Sequence, residues 1–278
     1  MLKKYMEFYR YLIIIPVIIT IISLAFIAVN GLDEGIDLKG GSIATIGLNE
    51  PMTQAQLESN LKTNLQTEDL DILNSRDKQA TVEFSTEMDA QTLEKKLNNT
   101  GSIISLRSVG PSLSQEALGQ IYWAILFAFI AMAIVVFIIF REFVPSAAVV
   151  LSCFCDIVIA VGLMSLFNVP LSIASVGAIL MLIGFSVDTD ILLTTRLLKR
   201  KIGTLEERAI EAIKTGLIMS TASISAMLIL YLITVFIMPE AQTLSDIALV
   251  LIFGLLADII CTWCMNLGLL RWYVEAKK

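Results

Sequence analysis

Four aspartates stand where a chain this apolar has least reason to carry them: Asp156, Asp188, Asp190 and Asp258 each interrupt a long aliphatic run. A carboxylate at the centre of a membrane-spanning helix costs ~2.5–3.5 kcal/mol on insertion scales, so it normally faces a bundle interior or a water-filled cavity. Such groups can take up and release protons, and a membrane potential supplies ~2.3 kcal/mol per charge for each 100 mV. Asp156 and Asp258 lie mid-way along their runs, the latter in GLLADIICTWC, while Asp188 and Asp190 lie somewhat past the centre of theirs. Two positions turn about 200° round a helix, so Asp188 and Asp190 point different ways. Arg196 is about 80° round from Asp188 and nearer the end of the run, which argues against a direct pair within one helix. Asp190 and Thr194, one turn apart, share a face. Asp188, Asp190, Asp156, Asp258 and Arg196 are therefore the proton-relay candidates. A structural reading stands beside this one, in which the carboxylates tie helices together through Ser152, Ser186, Ser220, Thr221, Ser223 or Ser225.

Composition says what must position them. Of 278 residues, 56% are hydrophobic and only 17% charged, with a mean hydropathy of +0.78. A soluble domain rarely exceeds about half apolar residues, so this is a polytopic membrane protein. A net charge of -6 argues against nucleic acid as a partner. There is no histidine, so proton chemistry falls to carboxylates, Lys, Tyr, Cys or water. The four cysteines, Cys153, Cys155, Cys261 and Cys264, all sit in apolar runs, and the CxxC spacing of the last two reads as packing. No metal, cofactor or catalytic residue is expected, and the chain does not read as an enzyme.

Leu12–Val29 is an 18-residue run with basic residues before it. It is long enough to span a bilayer, and it lacks the small-x-small exit of a cleaved signal. Five more runs follow, at Leu118–Phe140, Val144–Phe167, Leu171–Leu198, Leu217–Ile237 and Leu244–Leu270. The termini, Arg141 and Arg196–Lys214 hold 13 of the 20 Lys and Arg residues, which predicts cytoplasmic N- and C-termini. The organisation expected is a cytoplasmic tail and first transmembrane helix (1–30), an extracytoplasmic domain (31–116) and a five-helix membrane region (117–278). The outer segment alternates as a strand at Ser42–Leu48, a helix at Thr53–Leu65, strands at Leu70–Asn74 and Ala80–Ser85, a helix at Asp89–Leu97 and a strand at Ile103–Val109. That β-α-β-β-α-β order is the ferredoxin-like α+β pattern. Asn98-Asn99-Thr100 is a glycosylation triplet of little weight. Leu205–Lys214 is amphipathic and reads as a surface helix or a topology signal. The small residues Gly216, Ser220, Thr221, Ala222, Ser223, Ser225 and Ala226 suit close helix packing, fixed or sliding.

The stretch GIDLKGGS (residues 35–42) mimics a phosphate loop in spacing only. Gly41 occupies the place of the essential lysine, and a strand rather than a helix follows. The glycines Gly35, Gly40 and Gly41 instead make a joint between span and domain. GIDLKGGS resembles the signature found just outside the first span in the SecD/SecF protein-export family. VGPSLSQEAL (Val109–Leu118) is similar to the family's second signature, and IGFSVDTDILLTTRLLKR (Ile183–Arg200) to the fourth-span signature of its archaeal SecF branch. The resemblance covers the whole chain and marks Gly35, Asp37, Gly40 and Gly41 as family-signature residues. It implies an accessory subunit of the Sec translocon in the cytoplasmic membrane. Such a subunit pairs with a SecD-like protein in a core like that of resistance-nodulation-division transporters. It acts beside the translocon channel on exported chains among membrane lipids, and uses the proton gradient. The bacterial pattern S-V-N-D-T-I lays Thr189 on the family's aspartate and Asp188 and Asp190 on its neighbours. The bacterial sixth span has small hydroxyl residues in place of Asp258. The alternative is a resistance-nodulation-division exporter of lipids or small molecules, against which the short Met238–Gln242 loop speaks.

Overall fold

The computed structural model describes residues 9–50, 52–65, 70–76, 79–97, 101–199, 202–238 and 241–277. Pro51, Asp77–Lys78, the Asn98–Thr100 triplet, Arg200–Lys201 and Pro239 lie outside the described residues. A short turn at Tyr9–Leu12 precedes helix α1 (Ile14–Asn30). A single helical turn, α2 (Ile36–Lys39), leads into β1 (Gly41–Leu48), α3 (Gln54–Leu65), β2 (Leu70–Arg76), β3 (Gln79–Phe84), α4 (Ala90–Leu97) and β4 (Gly101–Val109). Helices α5 (Pro111–Phe140), α6 (Phe143–Leu166), α7 (Ile173–Leu198), α8 (Leu205–Phe236) and α9 (Gln242–Ile260) follow. A π-helical segment (Cys261–Asn266) then runs without a break into α10 (Leu267–Ala276). The chain separates into two compact units, Glu34–Ile121 and the remainder.

The smaller unit carries an antiparallel four-stranded sheet in the order β2-β3-β1-β4. Period-2 burial on β1 (Ala44, Ile46, Leu48) and β3 (Ala80, Val82, Phe84) turns one sheet face inward. The i,i+4 pairs Leu57/Leu61 of α3 and Leu93/Leu97 of α4 close the core against that face. The Thr53 amide donates to the Gln56 side chain at 3.2 Å, and Thr53 O accepts from Leu57 N, as at a capped helix start.

The sequence does not signal α2, and it gives Asp37 and Lys39 their places. The Asp37 carboxylate is buried and accepts from Arg107 of β4 at 2.7 Å, while Lys39 pairs with Glu83 of β3. One turn is thus tied to both strands that flank β1. Gly40 and Gly41 leave it at φ 80 and 125, and a Cβ on Gly41 would run into the Phe84 carbonyl, so glycine is required there. The Ser42 hydroxyl meets Ser108 Oγ at 2.7 Å and accepts from Met88 N at 2.7 Å. The last residue of the loop-like stretch therefore locks the sheet rather than facing a ligand.

In the larger unit five helices are long and apolar enough to cross a membrane, and α1 is a shorter apolar helix of 17 residues. The helix of the second expected span starts earlier, at Pro111, a residue suited to a first helical position. Of the two readings of Leu205–Lys214, the surface helix does not hold, because α8 is one continuous helix of 32 residues. A reciprocal Thr204–Glu207 capping box fixes its start. Ala209, Ala212 and Ile213 pack on Leu193, Leu197, Leu267 and Leu270 rather than on a headgroup layer. Gly216 keeps that helix close, since any Cβ there would strike the Trp263 indole. Most of the small residues after it, including Thr221, Ala222, Ser225 and Ala226, are exposed in the isolated chain. Helices α6, α7 and α9 form the interior, with α9 packed on both others.

Candidate functional site

The interior of that three-helix packing holds Asp156 of α6, Asp190 of α7 and Asp258 of α9, all 0% exposed. Each hydrogen bond to them comes from a neutral side chain. Ser186 donates to Asp156 Oδ2 at 2.6 Å. Asn266 Nδ2 donates to Asp190 Oδ1 at 2.6 Å, and Thr189 Oγ1 to Asp258 Oδ2 at 3.0 Å. Thr262 Oγ1 lies between two carboxyls, 2.9 Å from Asp190 Oδ1 and 2.9 Å from Asp258 Oδ1. The Ser152 hydroxyl faces Asp190, and Ser186 also faces Asp258. Among the described residues, Asp156 Oδ1, Asp190 Oδ2, Ser152 Oγ, Thr194 Oγ1 and Asn266 Oδ1 are buried without a hydrogen-bond partner.

Local helix geometry explains how the last continuous helix, from α9 through the π segment to α10, presents three polar groups at once. Asp258, Thr262 and Asn266 are four apart, and an α-helix drifts by about 40° over each such step. The π segment starts at Cys261, and its i→i+5 bonding winds less per residue, which offsets the drift. Thr262 and Asn266 therefore both reach Asp190. The sequence carries a signal for this, hydroxyl and amide residues at helical spacing from an intramembrane carboxylate, but without the partner helix it does not single them out.

The remaining candidates lie elsewhere. Asp188 is exposed on α7, opposite in sense to buried Asp190, as the helical angle requires. Arg196 sits 3.8 Å from Glu211 of α8, so its ion pair is between helix ends and not within the carboxylate cluster. Thr194, although on the Asp190 face, makes no hydrogen bond to it; the partners of Asp190 are Thr262 and Asn266 of the π segment. Of the other proposed ties, Ser186 bonds a carboxyl, whereas Ser225 turns back to the Thr221 carbonyl of its own helix. Gly35, Asp37, Gly40 and Gly41 belong to the sheet unit, where Asp37 is committed to Arg107. Among the described residues no group of three His, Cys, Asp or Glu side chains suits a metal ion. All four cysteines are free thiols.

Outside the spans, Glu142 between α5 and α6 accepts from Lys277 Nζ at 2.8 Å and from the Tyr273 hydroxyl at 2.9 Å. The Lys277 bond, then the Tyr273 bond, hold its carboxyl below the usual range.

Comparison with known proteins shows what the chain is similar to. Residues 89–276 match the family model for the C-terminal part of the protein-export membrane proteins SecD/SecF. The SecF protein-export membrane protein of Methanothermobacter thermautotrophicus is 57% identical over 277 residues, covering 100% of this chain and 96% of that protein. That of Methanocaldococcus jannaschii is 40% identical, covering 97% and 98% respectively. The crystal structure of SecDF, a translocon-associated membrane protein from Thermus thermophilus, superposes with a TM-score of 0.77 at 17% identity. It is matched over 97% of this chain but only 38% of its own length, and the likeness is one of fold.

Proposed function

Since the chain belongs to the SecD/SecF family of protein-export membrane proteins and is an accessory export subunit of that family, we propose that it works beside a SecD-like subunit and couples export to a proton gradient. The observation that carries this reading is the split between neighbours on α7. Asp190 is enclosed with Asp156 and Asp258, while Asp188, two residues away, is exposed at membrane depth. A carboxylate turned to lipid is costly, so a second polar protein surface is required over that face. The SecDF chain is more than twice as long as the part matched, which leaves room for such a second set of helices. Helices α5 and α8, the spans with the least burial, offer apolar flanks for the same association.

In this reading α1 is a sixth span, both termini are cytoplasmic, and residues 31–116 form a ferredoxin-like module outside. The strand order β2-β3-β1-β4 and the β-α-β-β-α-β sequence favour that module. Asp190, Asp258 and Asp156 are the groups that load and release the proton, held by hydroxyls and an amide rather than by a cation. Exported chains and the translocon channel are met on the outer side. Arg196, tied to Glu211, keeps α7 and α8 together and stays outside the relay.

Two measurements test this. A SecD-like protein should co-purify from native membranes, and Asp188→Leu, which removes the group that the second polar surface meets, should weaken that association. Asp188→Asn, Asp190→Asn and Asp258→Asn should each lower proton-gradient-dependent export. Absence of any SecD-like partner removes the pairing. Wild-type export and proton flux in the Asp188→Asn/Asp190→Asn double variant removes the coupling.

A further inference from the structure

Thr262 has more acceptors around it than protons to give. Its Oγ1 is 2.9 Å from both Asp190 Oδ1 and Asp258 Oδ1, yet a hydroxyl carries one proton. If both carboxyls were ionised, Thr262 would donate to one, and the other oxygen would face a lone pair at the same short distance. In a buried site such an unpaired contact is costly. The neighbouring donors do not relieve it. Asn266 serves Asp190 Oδ1 from another direction, and Thr189 serves the second oxygen of Asp258 while standing 2.8 Å from the Phe185 carbonyl.

We infer that Asp190 and Asp258 hold one proton between them, shared across the Thr262 hydroxyl. One added proton satisfies both Thr262 contacts. On Asp258 Oδ1 it is donated to Thr262, whose own proton then goes to Asp190 Oδ1; placed on Asp190 Oδ1, the same line runs in reverse. Passage from Asp190 to Asp258 breaks the Asp190 Oδ1–H and Thr262 Oγ1–H bonds and forms Thr262 Oγ1–H and Asp258 Oδ1–H. Atoms and charge balance, and the proton has moved from α7 to α9 with Thr262 regenerated. The groups facing the pair are Asp156, Ser152 and Cys153 from α6, Ser186 and Thr189 from α7, and Cys261 and Asn266 from the sixth span. None of these is cationic. Thr262 is a bridging residue rather than a proton store. Its use in export rests on the coupling reading above, whereas the sharing itself follows from the hydrogen-bond geometry.

The test is infrared absorption of the full chain in lipid nanodiscs, read at the carbonyl stretch of protonated carboxyls, with Asp156→Asn as background to silence the third carboxyl. Asp190→Asn and Asp258→Asn should each remove the same single-proton band, because an amide at either place donates through Thr262, at position 190 with the Asn266 amide turned so that its otherwise unpartnered Oδ1 accepts, and leaves the partner ionised. The double variant should remove no more than either single one. Thr262→Ser should keep the band in place, and Thr262→Val should shift it. Loss in only one single variant, additive loss in the double, no loss at all, or an unshifted band in Thr262→Val overturns the shared proton. All these variants are near-isosteric, and an unchanged elution profile and melting temperature establish that they fold. Export assays on the same proteins bear on the other question. A shared band with export at the wild-type level throughout leaves the shared proton standing and removes its coupling role.

Discussion

Gly162 and Ser23 should behave as a lock whose two halves can be exchanged. A Cβ on Gly162 of α6 would lie 2.5 Å from Ser23 Cβ, 2.9 Å from its Cα and 2.9 Å from its Oγ on α1. Carbon–carbon contact is ordinary at ~3.5–4.0 Å, so Gly162→Ala must push α1 outward by about 1 Å. Overpacking of this size costs about 1–3 kcal/mol. Because much of α1 faces outward in the isolated chain and can move, the lower half of that range is expected. Ser23→Gly removes two of the three atoms that clash, Cβ and Oγ, and costs by itself about 0.5–1 kcal/mol for glycine inside a helix. The double variant should therefore be more stable than Gly162→Ala alone, although it contains one more change. Reversible unfolding by SDS titration in bicelles gives the three free energies. Strictly additive losses would show that these helices do not meet through this pair, and the packing argument would fall with them.

The sheet unit and the C-terminal helix offer two more tests. Arg107→Ala strands the buried Asp37 carboxylate and should cost about 1–3 kcal/mol. Asp37→Asn in the same chain should recover part of that loss, which hydrogen exchange at β1 and β4 would register; equal or additive losses would dissolve the pair. The depressed carboxyl of Glu142 contributes stability that is present above its unfolded value and lost as pH falls through its lower folded value. A nitroxide at Ala276 should thus gain mobility on acidification below about pH 4, and Glu142→Gln should leave it mobile at every pH; a pH-independent, ordered wild type would refute this.

How far the sequence could be read depended on whether a signal was local. The charge of an aspartate in an aliphatic run is visible one residue at a time, and helical geometry alone separates Asp188 from Asp190. The strands of the sheet unit show in the alternation of residues such as Ala44, Ile46 and Leu48. What was not legible needed a partner. Thr262 and Asn266 look like ordinary polar residues in a span until α7 is beside them, and nothing in CTWCMN announces a π segment. Lys214 to Leu217 reads as the seam between two helices because charge ends there. The helix instead runs on without a break, and Gly216 lets it pack close against Trp263 of the π segment. Asp37 and Lys39 likewise gain their roles only from Arg107 and Glu83, which are distant in sequence.

The wide turn at Cys261–Asn266 has a consequence for how the last helix is phased. A π turn holds one residue of slack, so the helix before it and the helix after it need not share a rotation. Asp258 is held by the Thr189 hydroxyl of α7, whereas Tyr273 and Lys277 are set by Glu142 at the far end. Winding every residue of this segment into an ordinary α-helix, with none removed, would turn one half by about 100° against the other. The two anchorages could not then both be kept. The slack lets one continuous rod answer to two alignments, and it places the seam between them beside Thr262.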